Sequence, residues 1–117
     1  MSKAYLRKSL RGGYENVLIV AGEILSDPAK KFEVIVDERV EKDLSSVPKH
    51  IVKAFLRALD ELEKNPFRAR PKMDIKKLVG HEGTYRLRIG DYRVLYYVDS
   101  IELKVFVTAI KHRKKVY

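Results

Sequence analysis

An α+β fold is what this sequence predicts: a strand, two helices and three further strands, forming an antiparallel sheet with the helix pair on one face, preceded by an N-terminal helical arm. Three observations carry that expectation. Ile51, Phe55, Leu59 and Leu62 recur at helical spacing. The stretch "TYRLRIGDYRVLYYV", residues 84–98, alternates with a period of two on both sides of Gly90-Asp91. A glycine at the first central position of a two-residue turn permits the type II′ geometry that closes an antiparallel hairpin.

In chain order, "YLRKSL" and "YENVLIVAGEIL" read as two short helices of an arm over residues 1–31, separated by Gly12-Gly13 because paired glycines make helix continuation costly. "SDPAKK" is a linker in which Pro28 stops an incoming helix. The body, residues 32–117, opens on "FEVIVDE", where Phe32, Val34 and Val36 alternate with Glu33 and Ile35 as in a strand. A first helix follows, with Val40 and Leu44 four apart. Pro48 suits the first turn of the second helix, and Pro66 ends it while disfavouring helical geometry at Asn65. "RARPKMDIKKLVGHEG" is a basic connection with one short strand or turn around Ile75 to Val79. Strands are expected at Tyr85 to Ile89, Tyr92 to Val98 and Leu103 to Ile110.

At 117 residues the chain has the size of one domain, able to bury roughly 60–70% of its unfolded surface. No run approaches the roughly 18 apolar residues of a membrane-spanning helix, and "VLIVAG" is too short for a signal-peptide core, so a cytoplasmic protein without a membrane partner is expected. With no cysteine, thiolate catalysis and thiolate zinc sites are excluded, and the spacing of His50, His81 and His112 suggests no metal centre. Twenty-five Lys and Arg against sixteen Asp and Glu leave a charge of +9. Such an excess favours a polyanionic partner, nucleic acid first, although it also serves solubility or heat resistance. From Thr84 to the end, eight basic residues face three acidic ones.

If Gly90-Asp91 is the turn, Arg88 faces Arg93, Arg86 faces Leu95, Leu87 faces Val94, Ile89 faces Tyr92 and Tyr85 faces Tyr96. Directly opposed residues share a side of the sheet. Tyr85, Leu87, Ile89, Tyr92, Val94 and Tyr96 then form an apolar face for the helices, and Arg86, Arg88 and Arg93 share the other. No acid lies on either strand to pair with them. Opposed like charges cost a few tenths to about 1 kcal/mol. A bound phosphate would offset that, since guanidinium groups hold phosphate oxygens in bidentate geometry. The other reading is a solvated face with arginines splayed into water. Lys114 and Lys115 are open to the same two readings, as RNA ligands or as a solubilising tail.

The run "KKLVGHEGTYRLRIGDYRVLYYVDSIELKVFVTAIKHRKKVY" combines a "KLxG…YRxRxGxYRxxY" hairpin with an "HRxxVY" tail. It resembles the C-terminal half of RelE/ParE-superfamily toxins, RelE-like members in particular. With the element order from Phe32 onward, the resemblance spans about 85 residues. It implies a ribosome-dependent messenger-RNA endonuclease that inhibits translation, partnered by a RelB-like antitoxin. Attack of a ribose 2′-hydroxyl on the adjacent phosphodiester is implied, with no metal or other cofactor. Carried over by position, Arg86 and Arg88 match the basic pair of the strand before the turn. Arg93 matches the hairpin arginine, Arg113 the arginine after the last strand and Tyr117 the tyrosine near the terminus. Arginine is too basic to accept a proton near neutrality, so that task falls to Tyr117 or to its rival His112. Lys76, Lys77, Lys111, Lys114 and Lys115 are expected to add RNA-binding charge. The arm has no counterpart in the usual toxin, and its "RKSLRGGYENVLIVAGEILSD" resembles antitoxin sequence. Two other functions fit the same fold: a ParE-like gyrase inhibitor without catalysis, and a decayed toxin that only binds RNA. Retention of Arg86, Arg88, Arg93, Arg113 and Tyr117 favours the nuclease.

Overall fold

The computed structural model describes residues 31–115; the arm helices, Gly12-Gly13, Pro28 and Tyr117 lie outside the described residues. Strand β1 (Glu33–Val36) leads into helix α1 (Glu38–Asp43), which begins where the Asp37 side chain accepts the Arg39 backbone N–H. The Arg39 guanidinium, and after it that backbone hydrogen bond, hold the Asp37 carboxyl below its ordinary range. A single 3-10 turn, Leu44–Ser46, connects to helix α2 (Lys49–Lys64). Pro48 sits at the N-cap rather than within the first turn. At the far end the Arg70 guanidinium donates to the Asn65 carbonyl just past the helix and to the Glu61 carbonyl, which also accepts the Asn65 backbone N–H. The stripe on α2 is as expected, with Ile51, Phe55, Ala58 and Leu62 buried and Leu59 packed beside them.

The remaining chain forms β2 (Asp74–Lys77), β3 (Thr84–Ile89), β4 (Tyr92–Asp99) and β5 (Lys104–His112), then a 3-10 turn at Arg113–Lys115. The sheet order is β1-β5-β4-β3-β2. The last four strands pair antiparallel, whereas β1 adds to β5 in parallel, so the sheet is mixed at that edge. The α+β class stands. Both helices contribute to a single core with the sheet, through Val40, Phe55, Ala58 and Leu62 against Ile75, Leu87, Val94, Tyr96, Val98, Val105, Val107 and Ile110. A bulge in β5 at Thr108, opposite the Leu95/Tyr96 step, keeps both Val107 and Ile110 on that core face.

Tyr96 is the largest side chain in the core, fully buried and stacked on Tyr85, with its hydroxyl donating to the Pro66 carbonyl at 2.7 Å. It ties the sheet to the segment that leaves α2. Burial, reinforced by Tyr85, pushes its phenol well above the ordinary value. A folded-state value raised in this way gives stability that is complete below about pH 10 and lost as the pH climbs beyond it. Tyr96→Phe leaves a buried carbonyl unpaired and is expected to cost about 1–3 kcal/mol at pH 7. Urea unfolding should also show a shallower alkaline loss of stability in Tyr96→Phe than in the wild type; equal slopes would contradict that account.

Candidate RNA-contacting face

The face opposite the helices is built by strand alternation. The β3–β4 register is the expected one, with Arg88 opposite Arg93, Arg86 opposite Leu95 and Leu87 opposite Val94. Of the two turn residues, only Gly90 has a positive φ, 57°, as a type II′ turn requires. Arg88 is exposed and, among the described residues, has no hydrogen-bond or ion-pair partner. Arg93 is half-buried, and its Nη1 donates to the carbonyls of Gly90 and Tyr92, both at 3.1 Å. Those carbonyls draw one guanidinium back toward the turn, relieving the Arg88–Arg93 repulsion. Arg113 meets the same turn: its backbone N–H donates to the Asp91 carbonyl at 2.7 Å, and its Nε lies 3.7 Å from Asp91 Oδ1. Both side chains of that ion pair are more than half exposed, so it contributes little to stability. The turn thus gathers Arg93 and Arg113 at the end of the sheet where Arg88 lies.

Arg86 differs from its neighbours. Its side chain is 17% exposed, its Nη2 lies 3.2 Å from Asp74 Oδ1, and its Nε is buried without a partner. Asp74 stands opposite Arg88 on β2, diagonal to Arg86. The acids that strands β3 and β4 lack beside these arginines therefore come from the adjacent strand and the turn. The sequence places Asp91 in the turn but pairs neither it nor Asp74 with an arginine, although the alternation of "DIKK" in a strand sets Asp74 and Lys76 on one side.

Register divides the expected lysines. Lys76 pairs with Arg86 and Lys111 with Arg93, so both lie on the arginine face and are exposed. Lys77 pairs with Tyr85 and falls on the opposite side, so β2 does not present Lys76 and Lys77 together. His112 likewise pairs with Tyr92 on the helix-bearing side. Its ring meets Tyr92 edge to face at 5.3 Å, and its Nδ1 accepts the Lys114 backbone N–H. This placement removes His112 from the arginines and makes it an end-cap of the last strand. Lys114 and Lys115 are exposed on the closing 3-10 turn. Among the described residues, no three His, Asp or Glu side chains gather as a metal site would need, and no helix is long and apolar enough to cross a membrane.

The sequence and the fold that carries this cluster are similar to those of known proteins. The family model described as the ParE toxin of the type II toxin-antitoxin system parDE covers residues 29–117. The chain belongs to the RelE/ParE toxin superfamily. It is 37% identical over 87 residues to RelE1 of Methanocaldococcus jannaschii, a span of 74% of this chain and 96% of that protein. In structure it is similar to a chain of the archaeal RelE-RelB complex from Pyrococcus horikoshii OT3, with a TM-score of 0.64 and 35% identity over 74% of this chain and 99% of that one. A chain of the RelB-RelE antitoxin-toxin complex from Methanococcus jannaschii gives a TM-score of 0.60 at 31% identity, covering 71% of this chain and 94% of that one. Within the superfamily this is a RelE-like toxin of a toxin-antitoxin system.

Proposed function

We propose that this superfamily member is a cytoplasmic endoribonuclease that cuts messenger RNA on the ribosome and is held in check by a RelB-like antitoxin. The observation that carries the reading is Arg88, without a partner among the described residues, set directly opposite Arg93 and beside Arg113 on the face away from the two helices. Guanidinium groups in that arrangement suit the oxygens of one phosphodiester. The ribose 2′-oxygen attacks phosphorus, the bond from phosphorus to the 5′-oxygen breaks, and a 2′,3′-cyclic phosphate remains. Negative charge grows on the non-bridging oxygens during this step, and fixed cations contribute most there. The 2′-hydroxyl proton needs an acceptor and the departing 5′-oxygen needs a donor. Tyr117 takes the acceptor's part by resemblance, since His112 belongs to the other side of the sheet. Arg86, tied to Asp74, shapes the surface beneath the RNA and is not a free phosphate ligand. The RelE-RelB assemblies of the structural relatives support an antitoxin partner whose acidic or amphipathic segment covers the basic face.

Primer extension on a defined message bound to programmed ribosomes tests this directly. Discrete cuts in the A-site codon, absent on free message, are the expected result. The ParE description of the matching family model supports a second reading, binding to gyrase without catalysis. Intact message together with inhibited DNA supercoiling would establish that reading and remove the first.

A further inference from the structure

The arginine face carries a second feature that phosphate binding does not use. Tyr97 follows Arg93 and Leu95 on the same side of β4, with the fully buried Tyr96 and the buried Val98 turned to the core on either side. Its ring is 44% exposed and is stacked on Phe106 of β5, with centroids 6.4 Å apart and planes at 29°. On its other flank lies Gly83, just before β3, whose carbonyl accepts the Val98 N–H. A Cβ at Gly83 would stand 2.7 Å from Tyr97 Cε1, so only a glycine allows the ring to lie against the backbone there. Gly83 also has φ 78°, a conformation side chains rarely adopt. A flat aromatic surface is thus fixed from both sides and left open above.

We propose, resting on the RNA reading above, that Tyr97 is a stacking platform for an unpaired nucleobase of the bound RNA. Aromatic rings on an open sheet beside basic side chains suit single-stranded RNA, because every base has a π-face and the cations track the backbone. Four residues of strand separate Tyr97 from Arg93, roughly 13 Å. The stacked base therefore belongs to a nucleotide next to, or one removed from, the one whose phosphate the arginines hold. On the same face Asp74 offsets Arg86, and the remaining row of Lys76, Arg88, Arg93 and Lys111 beside an exposed aromatic ring is the pairing of cations and π-surface that a single RNA strand uses.

The test uses the full chain with a 2′-O-methyl RNA oligonucleotide, which cannot be cleaved, carrying 2-aminopurine at each position in turn. One position should be quenched on binding. Tyr97→Leu should remove that quench and weaken binding about tenfold, while Tyr97→Phe keeps both, and the salt dependence should stay the same in all three proteins. Leucine retains the apolar cover over Gly83, so a loss seen with Leu and not with Phe reports stacking rather than folding. Unchanged quenching and affinity in Tyr97→Leu would overturn the proposal while leaving the arginine site intact. If Tyr97→Leu instead weakened only the complex with a co-expressed antitoxin, the platform would belong to a protein partner and the proposal would equally fall. Absence of any arginine-dependent RNA binding by the wild type would overturn the proposal, whereas the nuclease reading on which it rests stands or falls by primer extension on ribosomes.

Discussion

Arg88→Ala is expected to lower cleavage by about 10²- to 10³-fold while leaving thermal stability within about 0.5 kcal/mol of the wild type. The two halves of that expectation have separate causes. Arg88 is exposed and unpartnered among the described residues, and it faces another arginine, so its removal breaks no contact and relieves a like-charge pair. Under the proposed function its guanidinium is held for a phosphate of the RNA. Arg93→Ala should reduce cleavage comparably but also lower stability, because its guanidinium holds the Gly90 and Tyr92 carbonyls at the turn. Arg86→Ala should show the opposite balance: its side chain is only 17% exposed, so stability should fall through lost packing, by about 1 kcal/mol, while the 56% exposed Asp74 returns to water and cleavage changes little. Single-turnover rates on programmed ribosomes, with urea unfolding of the same three proteins, separate these outcomes. Equal losses of rate across all three, with no difference in stability, would show that the arginines act as an undifferentiated basic surface.

Phe55→Ala is expected to destabilise the protein by about 3–5 kcal/mol, with Tm lowered by roughly 12 °C or more. Phe55 is 1% exposed at the middle of the α2 stripe and belongs to the one core shared by the helices and sheet. Removing the ring deletes its burial and leaves a cavity between layers that rigid strands cannot close. Domains of this size are stable by only about 5–15 kcal/mol, so the variant should be poorly folded at physiological temperature. Its neighbour Leu56 points away from the core and is 53% exposed; Leu56→Ala should change stability by about 0.5 kcal/mol or less. Differential scanning calorimetry of the pair decides the matter. A Phe55→Ala protein that melted with the wild type would mean that α2 is not packed on the sheet as described.

The sequence by itself determined the first strand, the two helices and the hairpin with its two faces, and left the stretch that forms β2 open as a strand or a turn. Local rules suffice for what it determined: the spacing Ile51, Phe55, Leu62 can only make one side of a helix apolar, and Gly90-Asp91 closes a hairpin whose period of two then sorts Arg86, Arg88 and Arg93 from Leu87, Val94 and Tyr96. The tertiary structure alone decided which strands are neighbours, and much of the candidate site depends on that. β1 pairs in parallel with β5 although some 70 residues separate them, a choice set by the core they close together rather than by any nearby residue. Placing β2 beside β3 brings Asp74 to Arg86 and sends Lys76 and Lys77 to opposite sides. Extending β5 through His112 turns that histidine away from the arginines, where the sequence had left it a rival for the catalytic base. Only the β3–β4–β5 packing reveals Tyr97 lying between Gly83 and Phe106. Alternation along one strand is a local property of the backbone, whereas partners across strands are selected by the free energy of the whole core, which no short stretch of sequence contains.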